Sequence, residues 1–349
     1  MSWSLAWLQF VMFCITLMQN DTAAILHDGW WTLKSFIVLA LFVGSMWIPN
    51  SPVIIGYMKF SRIVSVFFLS YQGMLMLIVA YVINDSLVGK VSDAGGGAGS
   101  CAGITLLTLF GILTVGNITW LVYQFIEFSA CPGNLAILIT TSIVLFVMYA
   151  LVFFRTRTDA SVFTSALVGS YCLYLQWSAM SSNTDKACNP FNENSNSGLN
   201  STGNTITMMI LGLIFTFAAL FVVSATTHKA EDSNLTTDVN RALLEDEADS
   251  GEKVGDIEEN GVKKTAEEMH VFPITRATIF FQLLLTLAAI YYAMLLTNWG
   301  NPVYLTQNAS FFTPNNTSYW CQITAMWISM LIYLFSLLAP VCFPDRSFG

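Results

Sequence analysis

Nine apolar windows, each long enough to cross a bilayer, run through this chain of 349 residues. A helix needs about 20 mainly apolar residues to cross hydrocarbon roughly 30 Å thick. The windows lie at 3–18, 30–48, 63–83, 103–125, 135–154, 162–180, 206–226, 274–296 and 319–342. Hydrophobic residues make up 55% of the chain and charged ones 10%, outside the usual composition of a soluble domain. Every window is apolar on all faces, whereas a membrane β-barrel needs short stretches that alternate apolar with polar. The expected fold is therefore all-α, a polytopic transmembrane helical protein of about nine spans. Window 3–18 lacks a basic n-region and a small-residue cleavage site, so it reads as a span and not as a cleaved leader.

The net charge of -8 has one source. Between His228 and Phe272 there are 13 acidic and 5 basic residues, and the acids and bases outside that stretch cancel. Three segments follow: 1–226 with seven windows and short loops, 227–273 as an acidic connection, and 274–349 with two windows. The acidic connection is poor in aromatics and rich in Glu, Asp, Asn and Lys, the composition of a disordered tether. An amphipathic patch at 239–244 offers a second reading, as a partner or trafficking signal. The partners expected are membrane phospholipids, with lipid-synthesis enzymes recruited through the acidic loop and no nucleic acid.

Alternating the connections puts Lys90, Arg155, Arg157, Lys229, Arg241, Lys253, Lys263, Lys264, Arg276 and Arg346 on one side and Lys59, Arg62 and Lys186 on the other. The excess marks the first side as cytoplasmic. The glycosylation triplets headed by Asn200, Asn308 and Asn315 all fall in larger loops of the opposite side. An integral protein of the endomembranes or plasma membrane is expected, its acidic loop and C-terminus in the cytoplasm. Cys131, Cys188 and Cys321 lie at luminal span ends or loops, where oxidation is permitted. Any two of them can pair. Cys14, Cys101, Cys172 and Cys342 read as small packing residues.

No Gly-x-x-x-x-Gly-Lys-Ser/Thr sequence is present, so nothing points to a nucleotide-driven pump. Ion-coupled carriers hold Asp, Glu or His at mid-membrane depth, and none lies there. His27, His228 and His270 have no Cys or carboxylate at metal-ligand spacing. Asp21, His27 and Asp28 form the one interfacial cluster, read as a solvated loop with a helix cap before Trp30. No cofactor, no metal and no catalytic residue is expected, and the chain is not read as an enzyme.

What the spans do carry is uncharged polarity. Thr275, Thr278, Gln282 and Thr286 share one narrow face of the eighth window, within about 80° at 100° per residue. Ser170, Tyr174, Trp177 and Ser181 share a face of the sixth; the fourth offers Thr114, Asn117 and Gln124, and the third Ser65 and Gln72. Such residues serve as glue between membrane helices. Alternatively they line a groove that admits lipid headgroups and water, lowering the cost of moving a polar group across. Lys34, alone well inside a window as an ionisable residue, follows Trp30 by four positions. It either snorkels to the cytoplasmic interface or attracts lipid phosphate at a groove mouth.

The run Tyr174-Leu175-Gln176-Trp177-Ser178-Ala179-Met180-Ser181, followed by Cys188-Asn189-Pro190, resembles the signature of the serine incorporator (Serinc, or TMS membrane protein) family. The stretch from Ala23 to Trp31 with Lys34, Ile48-Pro49, Leu296-Thr297-Asn298-Trp299 and Leu338-Ala339-Pro340 with Asp345-Arg346 are similar to it as well. The resemblance implies ten spans in two helical bundles joined by a long oblique helix. It also implies passive, ATP-independent scrambling of phosphatidylserine and other phospholipids, or an accessory role in supplying serine to phosphatidylserine and sphingolipid synthesis. The family's first span has no counterpart here, which fits an internal start, a truncation or a lost helix. Its luminal Pro-Asp-Gly-Cys is reduced to Cys131-Pro132-Gly133.

Overall fold

A computed structural model describes residues 2–45, 47, 52–93, 101–154, 161–183, 185, 187–191, 203–225, 276–297, 301–302, 312–313 and 316–342. In lipid every backbone N–H and C=O must be satisfied within the segment, and the described apolar stretches are accordingly helices. These are α1 (Ser2–Thr16), α2 (Asp21–Asp28), α3 (Trp31–Ser45), α4 (Pro52–Asp93) and α5 (Cys101–Phe128). They continue with α6 (Pro132–Phe153), α7 (Val162–Ser181), α8 (Gly203–Ala225), α9 (Arg276–Leu296) and α10 (Asn316–Cys342). A two-residue antiparallel pair, β1 (Asn301–Pro302) with β2 (Phe312–Thr313), is also present. The acidic loop, Asn200, Asn308 and Asn315 lie outside the described residues.

Among the described residues six helices are long and apolar enough to cross a membrane: α4, α5, α6, α8, α9 and α10. The chain is thus a polytopic helical membrane protein. The other three windows behave differently. At 15 residues each, α1 and α3 rise about 22 Å, short of the hydrocarbon thickness. The 20 residues of α7 suffice in length but are less apolar than the six.

Two expectations need correction. Lys59 and Arg62, assigned to a connection, lie inside α4, whose 42 residues extend well past window 63–83. Lysine and arginine are good helix formers, so the helix continues where the hydropathy stops. Asp21, His27 and Asp28 sit on the short helix α2 and not in a loop. The turn from α2 into α3 puts Trp30 at φ 62°, the left-handed region that a bulky side chain rarely adopts.

The chain divides into two compact units, Met1–Pro49 with Leu220–Ile290, and Asn50–Ala219 with Tyr291–Gly349. In the first unit α1 packs on α2 and α3. In the second, α7 is the centre, packed by α4, α5, α6 and α10, and from Phe163 to Ser181 nearly every residue is buried. Helix starts are locally encoded here. Pro132 opens α6 behind the extended Cys131, a position where the missing proline N–H costs nothing. Ser161 caps α7 by accepting from the Thr164 N–H. Gly73 lets α4 approach closely, since a Cβ there would lie 2.7 Å from Ser329 Cβ and 3.3 Å from the Tyr171 ring.

Candidate functional site

Because α7 is enclosed by helices, several of its polar side chains find partners on its neighbours. At its start the Thr164 and Ser165 hydroxyls meet Tyr333 Oη at 3.2 and 2.7 Å. Just beyond, Asn117 Nδ2 donates to Ala166 O at 2.8 Å, and a turn further on Ser170 Oγ donates to Asn117 Oδ1 at 2.8 Å. Gln124, two turns along α5, donates to Leu173 O at 3.1 Å. Both α5 contacts span 49 positions, so α5 and α7 run in the same direction. Tyr171 Oη donates to Leu69 O of α4 at 2.8 Å, and Tyr174 Oη to Met208 O of α8 at 3.4 Å. The Trp177 indole meets Trp120 edge to face at 5.6 Å. Gln72 of α4 donates to Thr216 Oγ1 of α8 at 3.2 Å.

The end of α7 is tied down by a second network. Cys131 and Cys188 form a disulfide, leaving Cys321 unbridged. Asn134 donates to Cys188 O at 3.1 Å and accepts from Tyr319 Oη at 2.9 Å. Asn189 donates to Ser181 O at 2.7 Å and to Asn183 O at 2.9 Å. The start of α7 therefore adjoins the late part of α10 and its end adjoins the beginning of α10, an antiparallel pair. Gln176 and Gln322 stand eleven residues from the Ser165–Tyr333 contact on their respective helices and so come to a similar depth. Both are at most 1% exposed, and no amide atom of either finds a hydrogen-bond partner among the described residues. Leaving such groups unpaired is costly in a low-dielectric interior, which makes this level of the bundle a polar, unsatisfied zone among the described residues.

In the first unit Lys34 is 8% exposed. Its Nζ donates to His27 O at 2.6 Å and lies 4.5 Å from the Trp31 ring centre. The ammonium thus sits at the C-terminal end of α2, where the helix dipole favours a cation. Thr278, Gln282 and Thr286 are all buried on α9, and the Thr286 hydroxyl turns back to Gln282 O at 2.9 Å.

Of the polar residues singled out in the sequence, the structure joins Asn117 to Ser170 directly and places Gln72, Tyr174 and Trp177 in separate interhelical contacts of the same unit. Sequence reasoning passed over Asn134, Tyr319, Gln322 and Tyr333. Tyr333 is a lone hydrogen-bonding group in an apolar run, and its cost of burial was an available signal; Asn134, Tyr319 and Gln322 sit near helix starts, where polar residues are ordinary. Among the described residues the group best spaced to hold a metal is Cys131, Asp185 and Cys188, but its two sulfurs are bonded to each other. The buried charged side chains described are Lys34 and Arg62.

Fold and interior together define a polytopic helical membrane protein whose central helix is polar but uncharged. A profile of the family described as Serine incorporator (Serinc) matches residues 1–346. The chain belongs to the serine incorporator family. It is 27% identical to a probable serine incorporator of Nematostella vectensis, over 97% of this chain and 78% of the relative. It is 24% identical to serine incorporator 3 of Bos taurus, over 95% and 74%. Serine incorporator 2 of Homo sapiens is 25% identical, over 96% and 74%.

Proposed function

We propose that this protein is a passive phospholipid scramblase that moves phosphatidylserine and other phospholipids between leaflets without covalent chemistry. The observation that carries this reading is the composition of α7. Thr164, Ser165, Ser170, Tyr171, Tyr174, Gln176, Trp177, Ser178 and Ser181 are all buried there, and the helix holds no Asp, Glu, His, Lys or Arg. A driven carrier needs a group that gains and loses a proton or ion at depth; a downhill path needs only polar partners that lower the desolvation of a headgroup. The uneven distribution of basic residues supports a cytoplasmic acidic loop.

The purified chain, reconstituted in liposomes with a fluorescent phospholipid, tests this directly. Dithionite quenching beyond the outer-leaflet fraction, without nucleotide or an ion gradient, is the expected result. Quenching that stops at the outer leaflet removes the proposal.

A second reading, an accessory protein that supports serine incorporation into phosphatidylserine and sphingolipids, is favoured by one feature, the charge of segment 227–273. Deleting residues 231–268 should then abolish capture of serine-using lipid-synthesis enzymes while sparing scrambling.

A further inference from the structure

Lys59, Arg62, Ile63, Val66 and Phe67 recur at helical spacing along one stripe of α4. With Cys321 of α10 they line an open cleft of about 400 Å³. Its chemistry is graded along the helix axis. Lys59 is exposed and Arg62 nearly buried, and no carboxylate is among the lining residues. In the turns that follow, Ile63 and Phe67 are 62% and 69% exposed. From Lys59 to Phe67 the helix rises about 12 Å.

We propose that this cleft seats one phospholipid carrying a net-negative headgroup. Its phosphate lies between the Lys59 ammonium and the Arg62 guanidinium, and an acyl chain runs along Ile63, Val66 and Phe67. A soluble anion would explain the two cations but leave the large exposed apolar side chains without a role, and a sterol or fatty tail would do the reverse. Guanidinium forks match phosphate oxygens in pairs, while the lysine supplies a mobile point charge. Cations next to a bilayer surface favour anionic over zwitterionic lipid. As an entry point for transported lipid the site rests on the scrambling reading; as a lipid-binding site it does not.

Cys321 in the cleft wall is a built-in reporter. The full chain is placed in nanodiscs of phosphatidylcholine alone or of equal phosphatidylcholine and phosphatidylserine. Maleimide modification of Cys321 and of Cys14 is then followed by peptide mass mapping. Phosphatidylserine should slow modification of Cys321 by about tenfold without slowing Cys14. Lys59→Gln, an exposed change that leaves packing intact, should restore the phosphatidylcholine rate. Equal Cys321 rates in the two lipids, parallel slowing of Cys14, or full protection in Lys59→Gln would each overturn the site. Scrambling measured on the same preparations separates the two proposals: protection without scrambling leaves the site standing and removes the transport reading, and scrambling without protection does the opposite.

Discussion

Ser170 donates its hydroxyl to the Asn117 side-chain oxygen at 2.8 Å while the amide nitrogen of that asparagine reaches Ala166 O, also at 2.8 Å. One amide thereby spans a full turn of the neighbouring helix. Interhelical hydrogen bonds in membranes average about 0.6 kcal/mol and reach about 1.7. Asn117→Leu, which removes two, should therefore lower unfolding stability by about 1–2 kcal/mol. A double-mutant cycle with Ser170→Ala, read by denaturant unfolding in micelles, should give a coupling near 0.6 kcal/mol. Strict additivity would mean the pair does not hold α5 to α7.

Gln176 carries the opposite expectation. It is fully buried, and both of its amide atoms lack a partner among the described residues. Replacing an unsatisfied polar group by an apolar one of similar shape removes its desolvation cost. Gln176→Leu should raise stability by about 1 kcal/mol. If the amide also serves passing headgroups, the same variant scrambles more slowly. A loss of stability would show instead that Gln176 is satisfied in the folded protein.

For Lys34 the geometry favours a brace over a lipid lure. Its bond to His27 O and its place over Trp31 join the end of α2 to the start of α3. Lys34→Gln should speed amide exchange at Gly29 and at position 34, whose N–H groups donate to Ile25 O and Trp30 O, by about tenfold, since a hydrogen bond from a charged donor contributes about 1.5–3 kcal/mol. Exchange in α1 should not follow. Phosphatidylserine transfer by the same variant reports on the other role, and an unchanged rate excludes it.

Reducing Cys131–Cys188 opens a loop of 57 positions, for which loop entropy alone gives about 4 kcal/mol. The Asn134 and Asn189 hydrogen bonds hold the same corner, so the second unit should remain folded but unfold at lower denaturant. Titration with and without dithiothreitol measures the difference; coincident curves would contradict it.

The hydropathy of the chain located most of the helices because lipid leaves the backbone few alternatives. It misjudged extent where charged helix formers continue a helix, as at Lys59 and Arg62. The polar faces were legible as periodicity, but their meaning was not. Gln72 meets Thr216 across 144 positions and Tyr333 meets Ser165 across 168, and no local pattern encodes such partners. The cysteines show the same limit. Three were suited to pairing, and only the tertiary arrangement selects Cys131 with Cys188.

The enclosure of α7 bears on how the protein is made. A segment this polar is a poor substrate for release into lipid on its own. Its partners α4, α5 and α6 are synthesised before it, but α10 emerges only at residues 316–342, more than a hundred residues later. Between those moments Tyr333 is not yet present to cover Thr164 and Ser165, and Tyr319 is not yet present to meet Asn134. A nascent chain that stops short of α10 therefore offers quality-control machinery an uncovered polar flank inside the bilayer, which makes the arrival of α10 the step that commits the molecule to survival.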